Sequence, residues 1–349
     1  MKIKIISLTI LLMIIIPLSL SAVSNAAPIF LLIEPSSRAG AMGAAYTALV
    51  DDGFAGYWNT GAMAFNRKTQ FAGMHTNWLG DVDELNDIYL EHIAWNQYFQ
   101  NIGNLGVNIT FLSLGEQINT DEEGDYLGTF NSYEMAIAFP FAFQYNQTTG
   151  FGISFKFILS DLAPSGTGQT ESGERGRGMS YAFDLGFLKK NLLLHGLDFG
   201  INFQNIGPNI TYINEAQADP LPMNWRMGFA YHIFDSKLNK LVVTGDMSKV
   251  LANDDFVLKR IITAWFDDDS DVEIEETIFN AGAEYVYYDL LSLRTGYIYD
   301  KAGDIKGASF GAGFHYTFSS FYKVGLDFAF QPAGELTKWN KTFSATVEF

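Results

Sequence analysis

The sequence has no cysteine, only five histidines and, past its first twenty residues, no long uncharged apolar run. Without cysteine there is neither a disulfide nor a thiolate metal site, so the fold holds without staples, which suits a large closed sheet better than a small exported module. The histidines, at positions 75, 92, 195, 232 and 315, form no HExxH or other close ligand pair. Metal catalysis is therefore not indicated, and neither a cofactor nor a metal site is expected. The lack of further apolar stretches of roughly 18 residues excludes a bundle of membrane-crossing helices. Charge is scarce as well, at 17% of 349 residues, where an ordinary soluble domain has about 25%. What charge there is leans acidic, 39 Asp and Glu against 22 Lys and Arg. Phosphate backbones need clustered bases, so nucleic acid is not an expected partner.

Apolar residues make up 48% and aromatics 15% of the chain. Lys2 and Lys4 precede an apolar run from Ile5 to Leu20, followed by Ser21, Ala22, Ser24 and Ala26. That order of charged, apolar and small residues predicts a cleavable secretory signal over residues 1–26, with cleavage after Ala26 or Ala27. The open alternative is an uncleaved anchor helix, for which the run is short. Removing the signal leaves 20 bases and 39 acids, a net charge of −19. Two acidic clusters stand out, Asp121-Glu122-Glu123 with Asp125, and Asp267-Asp268-Asp269 with Asp271, Glu273, Glu275 and Glu276. Neither has EF-hand spacing, so solvated loops are the simpler reading, with Ca²⁺ binding the alternative.

The recurrent signal is strict alternation. Tyr133, Met135, Ile137, Phe139, Phe141 and Phe143 alternate with Glu134, Ala136, Ala138, Pro140 and Ala142. Phe310, Ala312, Phe314, Tyr316 and Phe318 alternate in the same way with Ser309, Gly311, Gly313, His315 and Thr317. Period two means strand, with one greasy face and one small or polar face. Fourteen such segments occur, at about 71–78, 86–96, 103–113, 131–143, 149–160, 179–188, 196–204, 224–233, 239–249, 277–287, 290–299, 307–318, 321–331 and 341–349. A soluble sandwich also alternates. The segment lengths, the even number, the tight turn at Tyr288-Asp289 and the long polar connections 114–130, 161–178 and 250–276 point instead to an all-β, transmembrane antiparallel barrel over residues 67–349. Whether 256–266 adds a strand or a short helix stays open at this level.

In such a barrel the alternation sends Lys156, Asp184, Asp198, Arg226, Asp246, Glu284, Arg294, His315 and Asp327 into the lumen. Glu284 and Arg294 face each other if the hairpin turn is centred near Asp289, which predicts a lumenal ion pair. The last segment alternates to a C-terminal Phe349, similar to the terminal signature by which bacterial outer-membrane barrels are recognised for assembly.

Residues 27–66 break the pattern. They are rich in Gly and Ala and start with an apolar stretch, Ile29 to Ile33. Small residues let backbone pass close to backbone. This segment is expected to fold back into the lumen as a plug, with Arg38, Asp51, Asp52 and Asn59 making polar contacts. The alternative is an edge strand at Ala44 to Val50 followed by a short helix.

Arg38-Ala39-Gly40-Ala41-Met42-Gly43, Ala48-Leu49-Val50-Asp51-Asp52 and Tyr57-Trp58-Asn59 closely resemble the head of the PorV/PorQ family, outer-membrane proteins of the FadL-like barrel type. The resemblance returns at Asp246-Met247-Ser248-Lys249, Gly282-Ala283-Glu284-Tyr285-Val286-Tyr287 and Leu293-Arg294-Thr295-Gly296-Tyr297. One departure is Thr60, where the family usually carries Pro after the Trp-Asn pair. The resemblance implies a fourteen-stranded barrel with an N-terminal plug. PorV-type members serve type IX secretion, receiving cargo through its C-terminal signal domain from the translocon and passing it to the attachment machinery. Other FadL-like barrels carry hydrophobic molecules.

Candidate binding positions are therefore Arg38, Asp51, Asp52, Trp58 and Asn59 in the plug and Arg226, Glu284 and Arg294 in the lumen. The expected partners are outer-membrane lipid and either the secretion translocon with cargo signal domains or a hydrophobic solute. An enzyme is not expected. Gly307-Ala308-Ser309-Phe310-Gly311 fits GxSxG, but it lies within an alternating strand rather than at a strand-to-helix turn. His315, six residues along the same strand, is about 20 Å from Ser309.

Overall fold

A computed structural model describes residues 26–77, 87–120, 125–163, 176–212, 218–253, 255–318, 322–334 and 338–349. Residues 1–25 of the expected signal and the Asp121-Glu122-Glu123 cluster lie outside the described residues. Fourteen strands follow in order: β1 (Gln70–Asn77), β2 (Ile88–Phe99), β3 (Gly103–Thr120), β4 (Tyr126–Asn146), β5 (Thr149–Ala163), β6 (Gly176–Lys189), β7 (Leu197–Ile206), β8 (Asn224–Asp235), β9 (Asn239–Val250), β10 (Ile278–Tyr287), β11 (Leu291–Asp300), β12 (Ile305–Phe318), β13 (Tyr322–Pro332) and β14 (Trp339–Glu348). Each pairs antiparallel with its chain neighbours, and β1 returns to β14, with Phe71 opposite Val347 and His75 opposite Phe343. Closure leaves no sheet edge in hydrocarbon, where each unpaired backbone group costs several kcal/mol.

Side-chain burial follows the predicted phase. Phe139, Phe157, Phe183, Phe229, Phe310 and Phe343 stand exposed on the outer wall, while Lys156, Asp184, Arg226, Asp246, Glu284 and Arg294 are buried inside. The β2–β3, β4–β5, β8–β9 and β10–β11 turns, of two or three residues, share one end; in the last, residues 288–290, Tyr288 and Asp289 take left-handed φ values of 58° and 52°. Phe349 stacks on Phe71 there, at 6.1 Å. In barrels of this type the short-turn end faces the periplasm and the long connections face outward.

One segment differs from expectation, and at another the helix alternative is the one adopted. β3 and β4 run to Thr120 and from Tyr126, so most of 114–130 is paired strand rather than loop. Beyond the bilayer both faces of a hairpin meet water, so hydrophobic alternation fades while the hydrogen-bond ladder continues. The 250–276 connection carries two short helices, Val257–Thr263 and Ser270–Glu275. Three acids of this second cluster serve ion pairs: Glu273 and Glu276 meet Lys249, and Glu275 meets Lys301.

Candidate functional site

Residues 26–66 lie inside the ring. They form a 3₁₀ turn (Ile29–Leu32), helix α1 (Ser37–Ala41), helix α2 (Ala55–Trp58) and a second 3₁₀ turn (Thr60–Phe65). Ala44 to Val50 is a run of turns, so the edge-strand alternative is not adopted. An apolar strip, Met42, Tyr46, Phe54, Trp58 and Met63, is fully buried among small inward residues such as Ala72, Ala94, Ala142 and Ala182.

Glycines in the wall make room for the plug backbone, among them two pairs of register partners that both face it. Gly152 and Gly186 are register partners in β5 and β6, and Gly282 and Gly296 are register partners in β10 and β11. A Cβ on Gly186 would lie 2.4 Å from the Gly61 nitrogen, and one on Gly152 would lie 2.4 Å from the Thr60 carbonyl carbon. At the other slot, a Cβ on Gly296 would lie 2.1 Å from the Met42 carbonyl carbon. Gly43 sits in this slot at φ 66°, a conformation that favours glycine. These four wall glycines lie outside the candidate set. Their signal was present in the sequence as glycine on the inward phase of adjacent strands.

Beside the first slot Lys156 and Asp184 pair within the wall, whereas at the second a connected chain of charges reaches the plug itself. Arg38, on α1, clasps Glu284 with two bonds, Nε to Oε1 at 2.8 Å and Nη2 to Oε2 at 2.6 Å. Its Nη1 donates to Asp51 Oδ1 at 2.5 Å and to the Tyr46 hydroxyl at 3.0 Å. Tyr46 in turn donates to Asp52 Oδ2 at 2.6 Å. Glu284 also accepts from Arg294 Nε at 2.7 Å, as the hairpin register predicts, and Arg294 reaches Asp327 Oδ1 at 2.5 Å. His315 Nε2 closes the chain 3.2 Å from Asp327 Oδ2. Bidentate pairing fixes orientation as well as distance. A cavity of about 260 Å³ opens beside this chain at the short-turn end, lined by Arg38, Asp51, Asp52, Glu284, His315 and Asp327.

Elsewhere the plug is held by a buried carboxylate, by neutral groups and by one further cation. The Asp246 carboxylate accepts the Tyr46 and Thr47 backbone N–H groups, both at 2.8 Å. Asn59 donates to the Thr47 and Phe187 carbonyls at 2.9 and 3.0 Å and accepts from Gly61 N at 3.0 Å, so the turn forms with Thr60 in place of Pro. Trp58 donates its indole N–H to the Pro35 carbonyl at 2.7 Å. Arg226 stacks over Trp58, 4.7 Å from the ring centroid, and pairs with Glu34.

The eight candidate residues thus divide into two groups. Arg38, Asp51, Asp52, Glu284 and Arg294 converge on one network, whereas Trp58, Asn59 and Arg226 hold other parts of the plug. Glu34, Tyr46 and Asp327 complete these contacts and were not among the candidates. The Ser309 hydroxyl donates to the Ala41 carbonyl at 3.0 Å, so it too serves to seat the plug.

Solved structures with this architecture include the toluene transporter TodX of Pseudomonas putida, with 12% identity and a TM-score of 0.54, the match covering 90% of this chain and 96% of that one. The toluene transporter TbuX of Ralstonia pickettii is similar at 10% identity and a TM-score of 0.53, covering 90% and 97%. Identities this low establish a shared fold alone. No curated protein matches significantly. The model of the family described as type IX secretion system protein PorV matches residues 19–255, which include the whole plug and β1 to β9. The chain is an outer-membrane β-barrel that belongs to the PorV family of type IX secretion system proteins.

Proposed function

We propose that this barrel works from its surface rather than through its bore, as a closed platform in the outer membrane that takes up secreted cargo and hands it on. The observation that carries this reading is the seated plug: two glycine slots and a buried ionic chain fix it in a lumen packed with Trp58, Tyr46 and Phe54. Cargo then meets the long outer connections, and the recognition element would be the C-terminal signal domain expected of type IX substrates. The competing reading is a channel in which the plug shifts to admit a hydrophobic solute.

The two readings diverge if the plug is locked. Ser37 N lies 3.1 Å from Ser344 Oγ, and the chain has no other cysteine to confuse a crosslink. A Ser37→Cys, Ser344→Cys double variant, oxidised in place of the wild type in a deletion strain, should restore cargo at the cell surface as fully as its reduced form. Export that stops on oxidation and resumes on reduction would overturn the platform reading. Uptake of labelled hydrocarbon lost under the same oxidation would favour the channel.

A further inference from the structure

Inward and outward phases are kept along β9 with one break. Lys249 is register partner of Trp225 and points to the outer wall, yet it is only 1% exposed. An ammonium facing lipid would be costly. It is instead covered by the 250–276 connection: Glu273 and Glu276 pair with it, and the Trp265 ring lies 5.7 Å away. Trp265 meets outward-facing Trp225 edge-on at 5.0 Å, and Ile261 and Ala264 pack with outward Phe203, Ile206 and Trp225. The helix Val257–Thr263, α3 here, therefore lies against the outside of the barrel near its outer rim.

Its own geometry shows what lies beside it. Ala264, Ile261 and Trp265 lie against the wall; at about 100° per residue Val257 falls on their side, and Leu258, Ile262 and Phe266 continue the same apolar arc through about 200°. The hydrogen bond from Phe266 N to Thr263 O keeps the turn going that far. Leu258, Ile262 and Phe266 are 60%, 68% and 81% exposed, and Phe256 at the helix start is 70% exposed. Lys259, Arg260 and Thr263 occupy the remaining side. Arg260 is turned toward the β7–β8 connection, where it bonds Asn209 at 2.7 Å. The uncovered apolar flank is thus continuous with the lipid-facing wall, not with the water-facing loops.

We propose that residues 256–266 form an interfacial strap whose exposed flank is immersed in the outer leaflet, with Leu258, Ile262 and Phe266 among acyl chains and Lys259 reaching up toward headgroup phosphates. The strap would shield Lys249 from lipid and fix the height and rotation of the outer loops above the membrane. This inference rests on the transmembrane fold and holds whichever way the cargo question falls.

The absence of native cysteine makes the test direct. Leu258→Cys, Ile262→Cys, Phe266→Cys and Lys259→Cys are each labelled with an environment-sensitive fluorophore on the full barrel in phosphatidylcholine–phosphatidylglycerol vesicles, with heat-modifiable gel migration confirming the fold. Labels at 258, 262 and 266 should emit at shorter wavelength and lose intensity to doxyl-lipid but not to aqueous iodide, whereas the label at 259 should respond to iodide. Equal iodide quenching at all four positions would overturn the proposal. So would protection of 258, 262 and 266 that appears only when another membrane protein is added, since the flank would then be a protein-docking face.

Discussion

Two of the places that hold the plug share one device and differ in the polar contacts made to the plug beside it. At β5–β6 the glycine pair Gly152 and Gly186 accepts Thr60-Gly61, and the neighbouring polar contacts are neutral amide bonds from Asn59. At β10–β11 the pair Gly282 and Gly296 accepts Met42-Gly43. Next to it lies a chain of charges from exposed Asp51 through Arg38, Glu284 and Arg294 to Asp327. Shape alone holds a segment wherever volume is excluded. A charged seat adds direction, and it makes the contact strongly dependent on every member being present.

The largest expected effect comes from breaking the charged seat at its centre. Glu284→Ala leaves Arg38 and Arg294 facing each other without the carboxylate between them and should lower resistance to urea unfolding by about 3–5 kcal/mol. A loss under about 1 kcal/mol would show that the ionic chain does not secure the plug. Filling the neutral seat comes next. Gly186→Leu has no space beside Gly61, and overpacking of this kind typically costs about 1–3 kcal/mol. It should expose residues 60–65 to protease while leaving 38–43 protected, and Gly296→Leu should reverse that pattern; identical cleavage maps would mean the two seats release together.

A smaller effect is expected from pH. Burial raises the Asp52 carboxyl above its ordinary range, with Arg38 pulling the other way. Folded Asp52 therefore binds its proton at higher pH than in the unfolded chain. Its contribution is fully present below the unfolded value and lost as pH rises through the folded one. Asp52→Asn should flatten the pH dependence of plug protection in that acidic window, as followed by proteolysis; an unchanged profile would exclude Asp52 as its source. The smallest effect should be at Lys68, whose pair with Glu348 at 2.7 Å is half in solvent. Lys68→Ala should change stability by at most about 1 kcal/mol, and less in high salt.

The strands were legible in the sequence because period two is a local property, read from any six or eight residues. The Glu284–Arg294 pair was legible too, since a tight turn centred on Asp289 fixes the register of the whole hairpin. Arg38 joining them was not, because 246 positions separate it from Glu284 and no local pattern aims one at the other. The helix at 257–263 stayed undecided for a related reason. Its apolar arc is too wide for a surface helix in water, and it makes sense only with the barrel wall on one side and hydrocarbon beside it. Lys249 sits on the lipid-facing phase and reads as an error until the loop above it is folded down.

The sequence by itself determined the alternation, hence the strands, their number, their in-and-out facing and the closed sheet in a membrane, because each follows from neighbours one or two residues apart. Only the tertiary structure decided which glycines oppose each other as slots, which charges meet across the lumen and which part of an outer loop lies against the wall. Those depend on closure, which brings together residues that the chain keeps hundreds of positions apart.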